Sequence, residues 1–124
     1  MKLIKQKTET DCGVACVAML AGVSWAKARD ALNFKKSDKK FYTDKDSVRN
    51  ALTRLGVITE KNFVVCKYPE RLTKDALLRT NLLANGNWHW AVWDAKRQEI
   101  LDPYYKRTRP LSCLIVLRRE RRQV

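Results

Sequence analysis

The sequence predicts an α+β domain in which helices come first and an antiparallel sheet follows. Up to Gly56, apolar residues recur at helical spacing between capping residues and glycine stops; beyond it, β-branched and aromatic runs alternate with turn residues. Size is the third observation: 124 residues, 45% of them hydrophobic, suit one packed domain spanning 1–124. No internal repeat, low-complexity tract or linker interrupts it.

The elements follow in order. Thr10 and Asp11 are N-cap residues, and CGVACVAMLAG runs small and apolar to Gly22, which predicts a short, wholly buried helix. Ser24 caps a second helix through about Phe34, with Trp25, Ala28 and Leu32 on one face and charge on the other, so this helix lies on the surface. Thr43 caps a third, whose stripe of Val48, Ala51, Leu52 and Leu55 stops at Gly56. Asn62 to Cys66 is too short and too β-branched for a helix and reads as a strand. Thr73 to about Leu83 returns to a helical pattern. Asn85, Gly86 and Asn87 form a turn before the strand Trp88–Asp94, and Glu99–Asp102 and Ser112–Leu117 give two more strands.

Twenty-six Lys and Arg against thirteen Asp and Glu give a formal charge of +13. Such a charge attracts nucleic acid, acidic protein or anionic membrane. Part of the excess lies in Lys35, Lys36, Lys39 and Lys40 around Asp38, and part in Lys106, Arg107, Arg109, Arg118, Arg119, Arg121 and Arg122. A solvated loop and a frayed basic tail over about 118–124 account for both as well as a dedicated surface does. No helix-turn-helix, zinc finger or aromatic-basic RNA motif is present, so nucleic-acid binding is not favoured. The sequence shows neither a signal peptide nor the ~20 apolar residues of a membrane span, which places it in the cytoplasm. There Cys12, Cys16, Cys66 and Cys113 are expected as free thiols. Their spacing is not that of a structural zinc site, and no metal or cofactor is expected.

Cys12 falls in the first turn of its helix, where unpaired N–H groups and the helix dipole favour an anion. Taken alone it reads equally as a small core hydrophobe, which is the reading for Cys16 one turn further in. The single histidine decides between the two. If Trp88–Trp93 and Gln98–Asp102 form a hairpin closed by Asp94–Arg97, Trp93 faces Gln98 and His89 faces Asp102. Facing residues have Cβ atoms roughly 4.5–5.5 Å apart, within reach of an imidazole–carboxylate hydrogen bond. A lone histidine is usually a satisfied sheet residue, but this one has a facing carboxylate and a capped cysteine to serve. Asp102 then orients the ring and leaves its other nitrogen to take a proton from Cys12, the division of labour of Cys-His-Asn and Ser-His-Asp hydrolases.

Gln6 followed after five residues by Cys12, as Q-KTET-DCG-VACVAML, resembles the signature of the double-glycine leader peptidases, the papain-like cysteine peptidase domains of bacteriocin ABC exporters. Gly22-Val23-Ser24, Leu52-Thr53-Arg54-Leu55-Gly56, the strand beginning at His89 and Asp102-Pro103 continue the similarity in the same order, over roughly residues 3 to 105. The resemblance implies a papain-like fold, Cys12 as nucleophile, His89 as general base and then acid, Asp102 as orienting group and Gln6 as oxyanion-hole donor. A glutamine amide there can join the Cys12 N–H in holding the tetrahedral oxyanion. Without the resemblance Gln6 reads as an ordinary surface residue.

The family cuts after paired glycines, so a protein or peptide with a Gly-Gly site is the implied substrate. Members are usually fused to transmembrane and nucleotide-binding domains that this sequence lacks, and leader export is therefore not the expected task. An isopeptidase acting on a Gly-Gly conjugate is the natural extension, and the net charge favours an acidic partner. Trp88 and Trp90 flank His89 and read as core aromatics before cleft walls. The rival readings are a papain-like peptide binder without catalysis and a basic nucleic-acid-binding protein. The thioester on Cys12 is resolved by water or by an amine, and nothing in the sequence marks a dedicated amine site.

Overall fold

The computed structural model describes residues 1–83 and 85–120. Three helices come first, α1 (Cys12–Ala21), α2 (Trp25–Ala31) and α3 (Lys45–Arg54). The strands β1 (Val57–Thr59), β2 (Val64–Val65), β3 (Ala76–Thr80), β4 (His89–Asp94), β5 (Glu99–Leu101) and β6 (Pro110–Arg119) follow, with a 3-10 turn at Pro69–Arg71. The sheet is antiparallel in the order β1-β6-β3-β4-β5. β1 and β2 lie end to end along one edge of β6, at Val57↔Arg119 and Val64↔Cys113, while β3 takes the other edge.

The helical layer forms because α1 has no polar face to give to water. Every residue from Gly13 to Leu20 is buried, and α1 packs on β4 between α2 and α3. The main core lies here, with Val14, Val17, Leu20, Leu52, Trp90 and Leu114 fully or almost fully buried. A second, smaller cluster of Cys66, Ala76, Leu78, Ala91, Trp93 and Cys113 packs against Leu72 and Ile100. Gly22 and Gly56 follow α1 and α3 at φ 66° and 80°, the left-handed conformation that ends a helix most cheaply in glycine. As its pattern predicts, α2 buries only Ala28 within the helix.

Several expectations are corrected. Thr73–Leu83 is not a helix; it contains β3, the strand between β6 and β4. Leu77 enters the helix-side core and Ala76 and Leu78 the second cluster, so both faces of this strand are covered. A strand buried on both faces shows a continuous apolar run that periodicity cannot separate from a buried helix. Asn62–Cys66 shrinks to the two residues of β2, and β1 was not anticipated. α2 stops at Ala31 rather than near Phe34, with Asn33 left-handed at φ 65°.

Thr43 does not cap α3: Asp44 does, its carboxylate accepting from the Ser47 N–H at 2.7 Å while Ser47 Oγ accepts from the Asp44 N–H at 3.0 Å. Arg118 and Arg119 are not part of a frayed tail but belong to β6, where Arg119 donates to the Leu20 carbonyl and pairs with Asp75 at 2.9 Å. The rest of the predicted tail, 121–124, lies outside the described residues. Among the described residues, no helix is long and apolar enough to cross a membrane.

Candidate active site

Cys12 is the first residue of α1, and His89 is the first residue of β4, the strand on which α1 packs. The helix–sheet contact therefore brings both side chains to one cleft, where Cys12 acts on the imidazole. His89 Nε2 meets Asp102 Oδ1 at 2.7 Å, so Nδ1 is the ring nitrogen left for Cys12. Both partners of the His89–Asp102 pair are almost wholly shielded, with side-chain exposures of 6% and 5%.

The register that brings Asp102 to His89 is not the one expected. β4 and β5 pair as Trp93↔Ile100 and Val92↔Leu101, a slip of two residues from Trp93 opposite Gln98, because the four-residue turn sits one residue later than expected, over 95–98, with Gln98 at φ 55°. A slip of two preserves which side chains share a face. Asp102 thus lies just past the end of β5 and reaches His89 diagonally rather than from directly opposite.

The turn after β5 fixes the carboxylate. Asp102 Oδ1 also accepts from the N–H groups of Tyr104 and Tyr105, at 2.8 and 2.7 Å, and Oδ2 accepts from Thr108 Oγ1 at 2.7 Å. Burial opposes the charge on Asp102, but the hydrogen bonds from His89, Thr108 and the Tyr104 N–H outweigh it and hold the carboxyl below its ordinary value. For His89 burial again acts first and pushes the imidazole down. The hydrogen bonds and charges of Asp102 and Cys12 reverse this and raise it from 6.5 to about 9. The Tyr105 ring closes over the imidazole edge-on, centroids 4.7 Å apart.

Gln6 lines the same cleft as Cys12 and His89. Its Nε2 donates to the Thr8 carbonyl at 2.6 Å, which fixes the amide orientation and leaves one amide hydrogen uncommitted. The Gln6 N–H donates to the Pro103 carbonyl at 3.1 Å, so the glutamine loop and the Asp102 turn are tied together. What shapes this loop is Asp11. Its fully buried carboxylate does not cap α1, as expected of it, but accepts from the Lys7 and Thr8 N–H groups, Thr8 Oγ1 and Trp25 Nε1 at 2.6–2.8 Å. The N–H groups at the head of α1 are thereby left without a side-chain acceptor, beside the Cys12 sulfur.

A cleft of about 460 Å³ opens over these residues, walled by Tyr42, Trp88, Tyr104 and Tyr105. Trp90 combines the two roles weighed for it: only 1% exposed and part of the main core, it also lines the cleft floor. Its Nε1 donates to Thr43 Oγ1 at 2.9 Å, and Thr43 packs against Gly13. A Cβ on Gly13 collides with the Thr43 hydroxyl. Gly13→Ala is therefore expected to break the Thr43–Trp90 bond and to destabilise the fold by about 1–3 kcal/mol, read as a lower urea midpoint at unchanged slope.

The remaining thiols stand apart from this centre. Cys16 is fully buried one turn along α1, and burial, then the neighbouring Cys12 and Asp102, push its thiol well above the ordinary value. Cys66 and Cys113 contact each other in the second cluster, where burial and then Cys66 push Cys113 up to about 12. The cysteines are thus split between two places in the fold.

All four residues singled out from the sequence border one cleft or the group that orients it. The contributions of Asp11, Tyr105 and Thr108 were not foreseen. Asp102-Pro103 did carry a readable signal, since Asp before Pro initiates a turn in which its side chain accepts from the N–H two residues on. Compared with protein-family models and with curated proteins, the chain has no match.

Proposed function

We propose that this protein is a cysteine peptidase of papain-like chemistry, hydrolysing peptide or Gly-Gly-linked isopeptide bonds through Cys12, His89 and Asp102. The observation that carries the reading is a single imidazole held by a buried carboxylate at 2.7 Å and sharing one cleft with a cysteine at the head of a helix. In this reading the Cys12 sulfur attacks the scissile carbonyl carbon. The Cys12 N–H and Gln6 Nε2 receive the developing oxyanion. The tetrahedral intermediate expels the amine, which takes its proton from His89, and a thioester remains on Cys12. Water, deprotonated by His89, then releases the acid and restores the thiol.

A helix bearing the nucleophile and packed on an antiparallel sheet bearing the base supports the papain-like comparison. The Gly-Gly preference rests on the sequence resemblance, and shared chemistry makes the isopeptide substrate its extension. Mapping of iodoacetamide adducts tests the nucleophile: Cys12 should label ahead of the three buried thiols, and equal labelling of all four would refute the assignment. Cleavage of a Gly-Gly peptide tests the activity. Gln6→Ala is expected to lower kcat by ~10²–10³-fold with little change in KM, as for the loss of one oxyanion donor.

A further inference from the structure

The charge of the cleft runs against the charge of the chain. Lys and Arg make up 26 of the 124 residues, yet among the described residues none lines the cleft. Nearby cations are already engaged: Lys7 lies over the Trp25 ring, Lys45 over Phe63, and Arg79 over the ring of the cleft wall Trp88, its own side chain not lining the cleft and donating to Ser112. Apart from the His89 centre, the charged group lining the cleft is Glu9, in company with Tyr42, Tyr104 and Tyr105.

Glu9 is exposed and, among the described residues, makes no hydrogen bond or ion pair. Its backbone is nonetheless held on both sides. Thr8 bonds to Asp11, the Thr10 N–H donates to Thr8 Oγ1 at 3.1 Å, and Thr10 Oγ1 accepts from the Phe41 N–H at 2.9 Å. A carboxylate on a fixed turn, facing a space walled by exposed tyrosine rings, has the chemistry that receives an ammonium or guanidinium group. The carboxylate supplies an ion pair and the ring faces a cation–π contact.

We propose that the cleft selects a peptide carrying a Lys or Arg side chain close to the scissile bond, with Glu9 as the residue that reads it. This rests on the peptidase reading above and names its substrate class. The acidic partner expected from net charge is drawn to the molecule as a whole by its long-range field, whereas the segment that enters the cleft is basic.

The test uses the 124-residue Cys12→Ala protein and labelled Gly-Gly peptides that differ only in Lys, norleucine or Glu at one position flanking the glycines, on either side. Fluorescence polarisation at low salt should show the Lys peptide binding roughly tenfold tighter than norleucine on one of the two sides, with Glu weakest. Glu9→Gln should bring the Lys peptide down to the norleucine level, and Glu9→Lys should reverse the order. Equal affinity for the three peptides, preference for Glu, or no binding at all overturns the proposal. Cleavage by the unmodified protein separates the two readings. Peptides cut without regard to charge sink the Glu9 assignment alone; a Lys peptide that binds best yet is never cut supports the subsite and sinks hydrolysis.

Discussion

His89→Ala is expected to lower kcat/KM by roughly 10⁴–10⁶-fold and to leave the fold standing. In the proposed mechanism the rate falls because one ring performs both proton transfers, and no other histidine exists in the chain to replace it. The fold survives because Asp102 keeps three other donors, the Tyr104 and Tyr105 N–H groups and the Thr108 hydroxyl, when the imidazole is removed. The strand is likewise held by its main chain, with His89 paired to Thr80 and its carbonyl accepting from Thr80 Oγ1 at 2.9 Å. Iodoacetamide provides a readout independent of turnover. The preference for Cys12 over the three buried thiols should shrink in the variant. Unchanged labelling together with unchanged turnover would detach His89 from the sulfur.

The site was more legible in the sequence than the sheet that carries it, and the reason is physical. A helix of small apolar residues ending in glycine has few alternatives, so α1 and the place of Cys12 at its head could be read directly. The expected register lies two residues from the observed one, and His89 still pairs with Asp102 because an even slip keeps the same side chains on the same face. An error of one residue would have sent Asp102 to the opposite face. β3 carries a helical pattern in the sequence because ALLRT is covered on both faces, and that coverage depends on partners distant in sequence.

Asp11 illustrates the same limit. Its position before α1 suggests a cap, yet its four donors come from a loop folding back and from Trp25 on the next helix. Local propensity sees a cap residue; tertiary structure turns it into the anchor of the Gln6 loop. Leaving the head of α1 uncapped keeps its N–H groups free of a side-chain acceptor, as the proposed oxyanion site requires. One buried carboxylate thus serves the glutamine and the helix terminus together.

Asp102→Asn and Asp102→Ala are expected to separate charge from geometry. Asparagine can keep its oxygen toward His89, Tyr104 and Tyr105, while its amide donates to the Thr108 hydroxyl; the position is filled and only the charge is lost. With the carboxylate gone, His89 should fall from about 9 toward its ordinary 6.5. An imidazolium is needed to protonate the leaving amine, so the alkaline limb of kcat/KM, expected near pH 9 in the unmodified protein, should move to lower pH with it. Stability follows the same sign. A group raised on folding contributes fully below its unfolded value of 6.5, and that contribution is lost as the pH climbs through about 9; in Asp102→Asn this dependence should flatten. Alanine instead strands the imidazole, two N–H groups and a hydroxyl around a position only 5% exposed, costing about 3–5 kcal/mol. It also frees the ring to turn, so its rate should fall by ~10³–10⁴-fold where asparagine's falls far less at neutral pH. Two variants whose rates and alkaline limb both match those of the unmodified protein would mean that Asp102 neither charges nor orients His89.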